Sequence, residues 1–380
     1  MTVVVHDVRL VDGPDILDGA WVRMGDDGRV AETGTGDGLR SHPSDDAHDG
    51  AGGYLVPGFI DLHGHGGAGA SYDDGPDAIR RARELHRAHG TTRAVVSLVT
   101  ASLEDLADRA AMVADLVETD AGILGSHLEG PFLDPAHKGA HDPRLLTAPT
   151  ADAVQSLLDA GRGTVRQVTL APELPGGLDA IRRIVASGAA AAIGHTGADA
   201  MLARAAFDAG ATILTHAFNA MPGLHHRAPG PVGAATADPR VILEVIADGV
   251  HLDPEVVRLA FAAAPDRIAL VTDAMAAAGA ADGRYDLGGL SVDVIEGVAR
   301  LVDGGAIAGS TLTQDAALRA AVRAGVPLPR AVAALTAVPA RAIRRERDLG
   351  ALRPGFAADA VLLSADLEVR AVWCGAARVA

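Results

Sequence analysis

Two histidines of this chain are separated by a single glycine and could together bind a metal ion. His63 and His65 follow an apolar run at 57–62, which is typical of a β-strand. Side chains along a strand alternate between its two faces, so residues two positions apart point the same way. The pair is therefore predicted to present two imidazoles on one side at the end of a strand, as ligands for a metal ion.

Further imidazoles and carboxylates follow other apolar runs. They are Glu129, His195, His216, His251 and Asp273, each at or just after the carboxyl end of such a run. Ligands of these two kinds, without thiolates, suit Zn²⁺, Fe²⁺, Mn²⁺ or Co²⁺. The set is larger than one four-coordinate ion needs. We therefore predict one or two divalent metal ions per subunit, with zinc favoured over iron, manganese or cobalt and with Glu129 as the bridging carboxylate.

A carboxylated lysine is the alternative bridge between two metal ions. Lys138 is the only lysine of the chain, and it lies in a loop after Glu129 rather than on a strand. This position favours the glutamate as the bridge.

The region between about residues 55 and 345 must position these side chains. It alternates eight apolar runs, at 55–62, 94–99, 123–128, 165–170, 190–194, 212–215, 241–247 and 268–272, with helical runs rich in Ala, Leu and Arg. Alternating strands and helices form parallel βαβ units, and eight in succession predict a TIM-like (β/α)8 barrel of the α/β class. An open doubly wound sheet is the alternative, but no G-x-G-x-x-G turn follows the first strand. The active sites of such barrels lie at the carboxyl ends of the strands, where the polar residues above fall.

Both ends of the chain are predicted to be β structure. Short strands are predicted at 3–5, 9–11, 20–23, 29–31, 360–363 and 369–373, and a polar loop at 40–53. We expect the two ends to meet in one small β-sandwich domain. The predicted domains are therefore 1–54 plus 346–380 for this β domain and 55–345 for the catalytic barrel.

Composition restricts the possible partners. The formal net charge of -16 argues against nucleic acid and anionic membranes. The single cysteine, Cys374, is typical of a reducing compartment. We expect neither a signal peptide at the amino terminus nor a membrane-spanning run of about 18 residues. A cytoplasmic protein with a small-molecule substrate is the prediction.

Eight short motifs follow one another along nearly the whole chain. They are PGFIDLHGHGG at 57–67, HLEGPF at 127–132, HKGAH at 137–141, IGHT at 193–196, THAFNAMP at 215–222, DGVH at 248–251, VTDAM at 271–275 and AGS at 308–310. In this order they resemble the amidohydrolase superfamily and, within it, the family of N-acetylglucosamine-6-phosphate deacetylases. The resemblance implies metal-dependent deacetylation of N-acetylglucosamine 6-phosphate.

The resemblance also implies roles for individual residues. The implied metal ligands are Glu129, His195 and His216 for one ion, and His63 and His65, with Glu129 bridging and Asp273 near, for a second. Asp273 would act first as general base and then as general acid. The implied substrate contacts are His141 and His251 to the sugar, the backbone N–H groups of Asn219 and Ala220 to the phosphate, and Arg227 to the phosphate. In the family this arginine is lent across a dimer interface, so the resemblance implies a homodimer in which Arg227 reaches the neighbouring active site.

Four alternatives remain open at the level of sequence. The first two are a deacetylase for the galactosamine epimer and an N-acyl-amino-acid deacylase, although the loops around His141, Asn219 and Arg227 fit a sugar phosphate best. A nucleobase deaminase is disfavoured by Glu129 at the end of the third strand. A catalytically inactive metal-binding barrel is disfavoured because Asp273 accompanies every predicted ligand. The predicted phosphate loop follows strand six, whereas phosphate sites of such barrels more often follow strands seven and eight.

Overall fold

The elements that surround the predicted site are defined by a computed structural model, which describes residues 2–36, 39 and 46–380. Part of the loop predicted at 40–53 therefore lies outside the described residues. The strands are β1 (Val3–Val11), β2 (Ile16–Met24), β3 (Val30–Thr35), β4 (Asp46–Asp49), β5 (Tyr54–Pro57), β6 (Phe59–Asp61), β7 (Gly66–Gly67), β8 (Ala70–Ser71), β9 (Thr91–Val99), β10 (Ile123–Glu129), β11 (Val165–Leu170), β12 (Ala190–Ile193), β13 (Ile213–Leu214), β14 (Ile242–Val245), β15 (Ile268–Leu270), β16 (Gly283–Leu287), β17 (Leu290–Ile295), β18 (Val298–Leu301), β19 (Ala360–Leu363), β20 (Val369–Cys374) and β21 (Ala377–Arg378). The helices are α1 (Pro76–Ala88), α2 (Leu103–Thr119), α3 (Ala151–Ala160), α4 (Gly177–Ala186), α5 (Ala200–Asp208), α6 (Gly230–Ala237), α7 (Pro254–Ala263), α8 (Gln314–Arg323), α9 (Leu328–Ala333) and α10 (Ala337–Ala342).

Eight parallel strands form the sheet that carries the predicted site. Their order is β6-β9-β10-β11-β12-β13-β14-β15, so neighbours along the sheet are also neighbours along the chain. The two edge strands approach each other. Just after the two strands, the Asp273 N–H donates to His63 O at 2.8 Å. The side chain of Gln314, on α8, joins the strands themselves, because its Nε2 atom donates to Ile60 O of β6 at 2.9 Å and to Leu270 O of β15 at 3.4 Å. The sheet is therefore a nearly closed barrel, which confirms the predicted (β/α)8 architecture.

Burial on both faces explains why the barrel strands are almost uninterrupted apolar runs. The residues of β10, β12 and β14 are all buried, because the barrel interior covers one face and helices cover the other. The helices are amphipathic. α2, for example, buries Leu106, Ala110 and Val113, and Ser102 caps its amino terminus by accepting the Asp105 N–H.

The predicted strand at 55–62 is wrong in one respect, because it is two strands. β5 pairs with β1 and β19 in the sheet of the termini, whereas β6 pairs with β9 in the barrel. The break falls at Pro57-Gly58. A Cβ at Gly58 would lie 2.2 Å from Thr92 Oγ1, so only glycine fits where the chain passes from one sheet to the other.

Strands from both ends of the chain form a second sheet, of order β21-β20-β19-β5-β1-β2-β3, with β4 beside β1. This mixed sheet is consistent with the predicted β region, and the domain boundaries themselves stay a prediction. Of the helices in the described ranges, none combines the length and the apolar character needed to cross a bilayer.

A three-stranded antiparallel sheet, β16-β17-β18, follows the eighth barrel strand and was not predicted. Its first turn approaches the end of the second barrel strand. A Cβ at Gly288 would lie 2.6 Å from Val99 Cγ1. This sheet therefore stands at the carboxyl-terminal rim of the barrel, beside the predicted site.

Candidate active site

The predicted polar residues converge at the carboxyl-terminal end of the barrel. His63 and His65 follow β6, Glu129 ends β10, and the remaining three, His195, His216 and Asp273, follow β12, β13 and β15. All six are buried, with relative exposures from 0% to 7%. Consecutive strands deliver these side chains to one place because parallel strands place all their carboxyl ends at the same edge.

Glu129 lies at the centre of the cluster. Its Oε1 atom is 3.2 Å from the Nε2 atoms of both His195 and His216 and 3.3 Å from Nε2 of His63. Its Oε2 atom is 3.1 Å from His65 Nε2 and 3.6 Å from His141 Nε2. One carboxylate thus faces five imidazoles, as expected of a residue that bridges two ions.

Asp273 lies beside the two histidines of the first motif. Its Oδ1 atom is 3.2 Å from His65 Nε2 and 3.5 Å from His63 Nε2, and the two ring nitrogens are 3.1 Å apart. On the other side of Glu129, His195 Nε2 and His216 Nε2 are 3.0 Å apart. The cluster therefore consists of two groups that share Glu129.

The donor atoms have the spacing that a divalent ion requires. Tetrahedral ligands about 2.1 Å from an ion lie about 3.4 Å from one another. Neighbouring Nε2 and carboxylate oxygen atoms of the cluster lie 3.0–3.6 Å apart. Within the described residues, two sets have ligand atoms close enough to hold an ion, namely His63, His65 and Asp273, and Glu129, His141 and His195. The donor set thus fits divalent metal, and His141 is close enough to be a ligand as well as the predicted sugar contact.

The electrostatics of the cluster also favour a cation. Burial alone would lower the pKa of His65, but hydrogen bonds to Asp273 and Glu129 outweigh burial and raise it to about 9. Burial would raise the pKa of Asp273, but the charges of His63 and His65 hold it well below its usual range. Burial would also raise the pKa of Glu129, but the charge of His63 and hydrogen bonds from His195 and His216 hold it well below its usual range. Both carboxylates are therefore ionised at neutral pH, and metal binding would displace protons from the imidazoles.

Strained backbone positions several of these side chains. His195, His216 and Asp273 have φ values of 47°, 27° and 48°, in the left-handed region that residues other than glycine rarely adopt. Hydrogen bonds hold them there. Asp273, for example, donates its N–H to His63 O at 2.8 Å and accepts the Ser310 N–H at 2.7 Å. Such strain, roughly 1–3 kcal/mol per residue, is typical of functional sites, where the surrounding fold maintains it.

A cavity of about 410 Å³ opens above the cluster. Four of the five predicted substrate-contact residues line it, namely His141, Asn219, Ala220 and His251. Arg227 does not line this cavity; it is exposed in the loop before α6. Val99, Leu287 and Ile307 give the cavity an apolar wall.

The two predicted backbone donors of the 215–222 motif differ in their hydrogen bonding. The Asn219 N–H donates to His216 O at 3.0 Å and is therefore already engaged in a turn. The Ala220 N–H has no acceptor within the described part of the chain. Ala220 itself has a φ of 50°, in the left-handed region, so its backbone does not continue a regular strand. Of the two predicted phosphate donors, Ala220 is thus the available one.

The pKa values of the two predicted sugar contacts are shifted in opposite directions. Burial lowers the pKa of His141 to about 3, with the charge of His195 adding to the effect, so its imidazole is neutral at pH 7. Burial opposes the charged form of His251 too, but Asp248 outweighs it and raises the pKa. Asp248 Oδ2 lies 2.7 Å from His251 Nδ1. Asp248 was not predicted, although its position in the DGVH motif was a signal.

Glu244 is a further residue that sequence reasoning missed. It lies on β14 with no exposed surface, and its Oε2 atom is 3.2 Å from His63 Nδ1. The signal was a single acidic residue within the apolar run predicted at 241–247. A charged side chain in a strand that is buried on both faces requires a specific partner.

The chain is similar in sequence to known proteins over most of its length. A profile of the amidohydrolase family matches residues 54–379. The chain is 42% identical over 329 residues to N-acetylgalactosamine-6-phosphate deacetylase of Escherichia coli O157:H7, covering 84% of this chain and 86% of that protein. It is 36% identical over 325 residues to N-acetylglucosamine-6-phosphate deacetylase of Vibrio furnissii, covering 84% and 81%.

Solved structures of such deacetylases are similar to the chain over nearly its whole length. A mutant of N-acetyl-D-glucosamine-6-phosphate deacetylase from Mycobacterium smegmatis, in complex with N-acetyl-D-glucosamine-6-phosphate, is 42% identical, with a TM-score of 0.93 and coverage of 100% of this chain and 99% of that chain. N-acetylglucosamine-6-phosphate deacetylase from Thermotoga maritima is 29% identical, with a TM-score of 0.89 and coverage of 99% of both chains. The chain therefore belongs to the amidohydrolase family, as its motifs predicted.

Proposed function

We propose that this protein hydrolyses the acetamide of N-acetylglucosamine 6-phosphate to acetate and glucosamine 6-phosphate. The observation that carries the proposal is the convergence of imidazole and carboxylate donors, at ligand spacing, on the floor of the cavity. The relatives support the substrate class, because they are deacetylases of N-acetylated amino sugar phosphates. When bound by Glu129, His195 and His216, with His63 and His65 available for a second ion, divalent metal polarises the amide carbonyl and lowers the pKa of an attacking water.

Asp273 is the proposed proton carrier. It is ionised in the folded protein and faces the cavity, so it can accept a proton from water as the new C–O bond forms. It then returns that proton to the sugar nitrogen as the C–N bond breaks, and the amine leaves neutral. His141 and His251 are the proposed contacts to the sugar.

The phosphate is proposed to bind at the loop after the sixth barrel strand, to the Ala220 N–H and to Arg227. Because Arg227 is exposed and outside its own cavity, we propose that it serves the neighbouring subunit of a homodimer. We propose a cytoplasmic location, because a chain with a single cysteine is typical of a reducing compartment.

Replacing Arg227 with alanine is expected to raise KM for the phosphorylated sugar by roughly 10-fold to 150-fold, because a hydrogen bond between charged groups contributes about 1.5–3 kcal/mol. We expect kcat and metal content to change little. Arg80→Ala is the matched control, since Arg80 is an exposed arginine on α1. Unchanged KM in Arg227→Ala would contradict the phosphate assignment.

With the phosphate at this loop, the acyl group is proposed to lie against the apolar wall of the cavity. β13 is the sixth strand and β9 the second, so their ends lie on opposite sides of an eight-stranded barrel. We propose that a sugar whose phosphate lies at β13 directs its C2 substituent towards Val99, at the end of β9, and Leu287, at the end of β16. Leu287 is 5% exposed and closes this side of the cavity.

Leu287→Ala is therefore expected to increase kcat/KM for an N-propionyl substrate relative to the N-acetyl substrate by about 10-fold, since the one additional methylene accommodated contributes about 1–3 kcal/mol. The rates of release of the two acids measure the ratio. Leu290→Ala, in the same turn but outside this cavity, is the control. An identical ratio in both variants would contradict this orientation of the substrate.

The galactosamine epimer is a second candidate substrate, because the Escherichia coli relative is named for it. Acetate and amine should form in equal amounts from N-acetylglucosamine 6-phosphate, with lower kcat/KM for the galactosamine epimer and for N-acetyl amino acids. A higher value for the epimer would change the assigned sugar, and a higher value for the amino acids would reject a sugar phosphate as substrate.

A further inference from the structure

The carboxylate of Glu244 lies beneath the cluster of predicted metal ligands, in the barrel interior, and has no role in the proposed reaction. Glu244 on β14 has no exposed surface. Its Oε2 atom lies 3.2 Å from His63 Nδ1, and its Oε1 atom accepts a hydrogen bond from Gln167 Nε2 at 2.8 Å. Oε2 also faces the His216 N–H at the longer distance of 3.4 Å.

This contact determines which nitrogen of His63 carries the proton. The Nε2 atom faces His65 and Glu129, so a metal ligand at this position needs an unprotonated Nε2. The proton of the neutral ring must then be on Nδ1. Glu244 Oε2 is positioned to accept this N–H, so Glu244 holds the proton on Nδ1 and also fixes the plane of the ring.

The other three predicted histidine ligands are held differently. His195 Nδ1 donates to a backbone oxygen, His137 O, at 2.9 Å, which no side-chain substitution removes. The Nδ1 atoms of His65 and His216 have no hydrogen-bond partner in the described residues. Of the four predicted histidine ligands, only His63 therefore has its Nδ1 atom held by a side-chain carboxylate in the described residues.

We infer that Glu244 is a positioning residue, which acts through His63 to set the metal affinity of the site formed by His63 and His65 with Glu129. Gln167, itself fully buried, holds Glu244 in place. The inference rests on the proposed function, because it takes these residues as metal ligands.

Glu244→Leu tests the inference, since leucine fills similar volume without accepting a hydrogen bond. Metal-free protein would be titrated with Zn²⁺ against a chelator, and the two dissociation constants measured. We expect one ion to bind about 10–100-fold more weakly, as for loss of a residue that orients a ligand, and the other to change by less than about threefold. Equal weakening of both ions, no weakening, or a single ion in the wild type would overturn the inference.

Two further variants separate positioning from folding. Glu244→Gln should restore nearly wild-type affinity, because Gln167 Oε1 has no hydrogen-bond partner and its amide can turn to accept from the new amide while the new oxygen faces His63. If Glu244→Leu does not fold, Gln167→Leu carries the test, with about threefold to tenfold weakening of one ion expected and no change overturning the inference.

Acetate release by the wild type is measured separately. Its absence would contradict the proposed function, whereas normal release with unaltered Zn²⁺ binding in the variants would contradict only this inference.

Discussion

Asp273→Asn is expected to reduce kcat by about 10²–10⁴-fold, the range for loss of a general acid and base, with KM and metal content near wild type. The asparagine keeps the shape of the side chain and an oxygen that can face His65, but its amide cannot accept and return a proton. Initial rates of acetate release, together with the metal content of the same preparation, measure both quantities.

Asp199→Asn is the matched control, because Asp199 is an exposed cap of α5 and asparagine caps helices equally well. The proton-carrier assignment would fail if Asp273→Asn retained the wild-type rate. If this variant instead lost one equivalent of metal, Asp273 would be assigned as a ligand, since its Oδ1 atom lies 3.2 Å from His65 Nε2.

Glu129→Gln is the second substitution with a large expected effect. Its carboxylate faces five imidazoles, and an amide would remove the negative charge and place an N–H group against at least one ring nitrogen. We expect metal affinity to fall by at least about 100-fold, with kcat/KM falling at least as far. Chelator competition and acetate release measure these effects.

Glu368→Gln provides the comparison, because Glu368 is 63% exposed and pairs with Arg319 far from the cluster. The bridging role of Glu129 would be contradicted if Glu129→Gln bound two metal ions with wild-type affinity. Retention of a single ion would restrict Glu129 to one of the two groups of ligands.

The barrel and the convergence of its polar residues could be predicted because both depend on local patterns. Apolar runs that alternate with helical runs define parallel strands, and parallel strands place residues such as His63, Glu129 and His195 at one edge. The order of the runs was sufficient, so the predicted and observed strands 165–170 and 360–363 coincide.

Other features could not be predicted because they depend on contacts distant in sequence. The strand at 55–62 is divided because Gly58 packs against Thr92, and the pairing of β5 with β19 joins residues about 300 positions apart. The sheet β16-β17-β18 differs from these features, because it had a local signal that the sequence analysis missed. This signal is the Gly288-Gly289 pair, which is typical of a hairpin turn.

Within the site, residue types were predicted more readily than hydrogen-bond partners. The motif containing Asn219 and Ala220 suggested two equivalent N–H donors, but a turn engages the first with His216 O. Glu244 contacts His63 across the barrel interior, which only the closed sheet brings about. Hydrogen bonds of this kind depend on backbone dihedral angles and on strand register, which residue spacing does not specify.

The central claim is metal-dependent deacetylation of an amino sugar phosphate in this cavity. The most direct test measures acetate release from N-acetylglucosamine 6-phosphate and from unphosphorylated N-acetylglucosamine, side by side, with protein of known metal content. Strong preference for the phosphorylated sugar is the predicted result. Equal rates with the two sugars would contradict the phosphate site, and release from neither by metal-loaded protein would contradict the proposed activity.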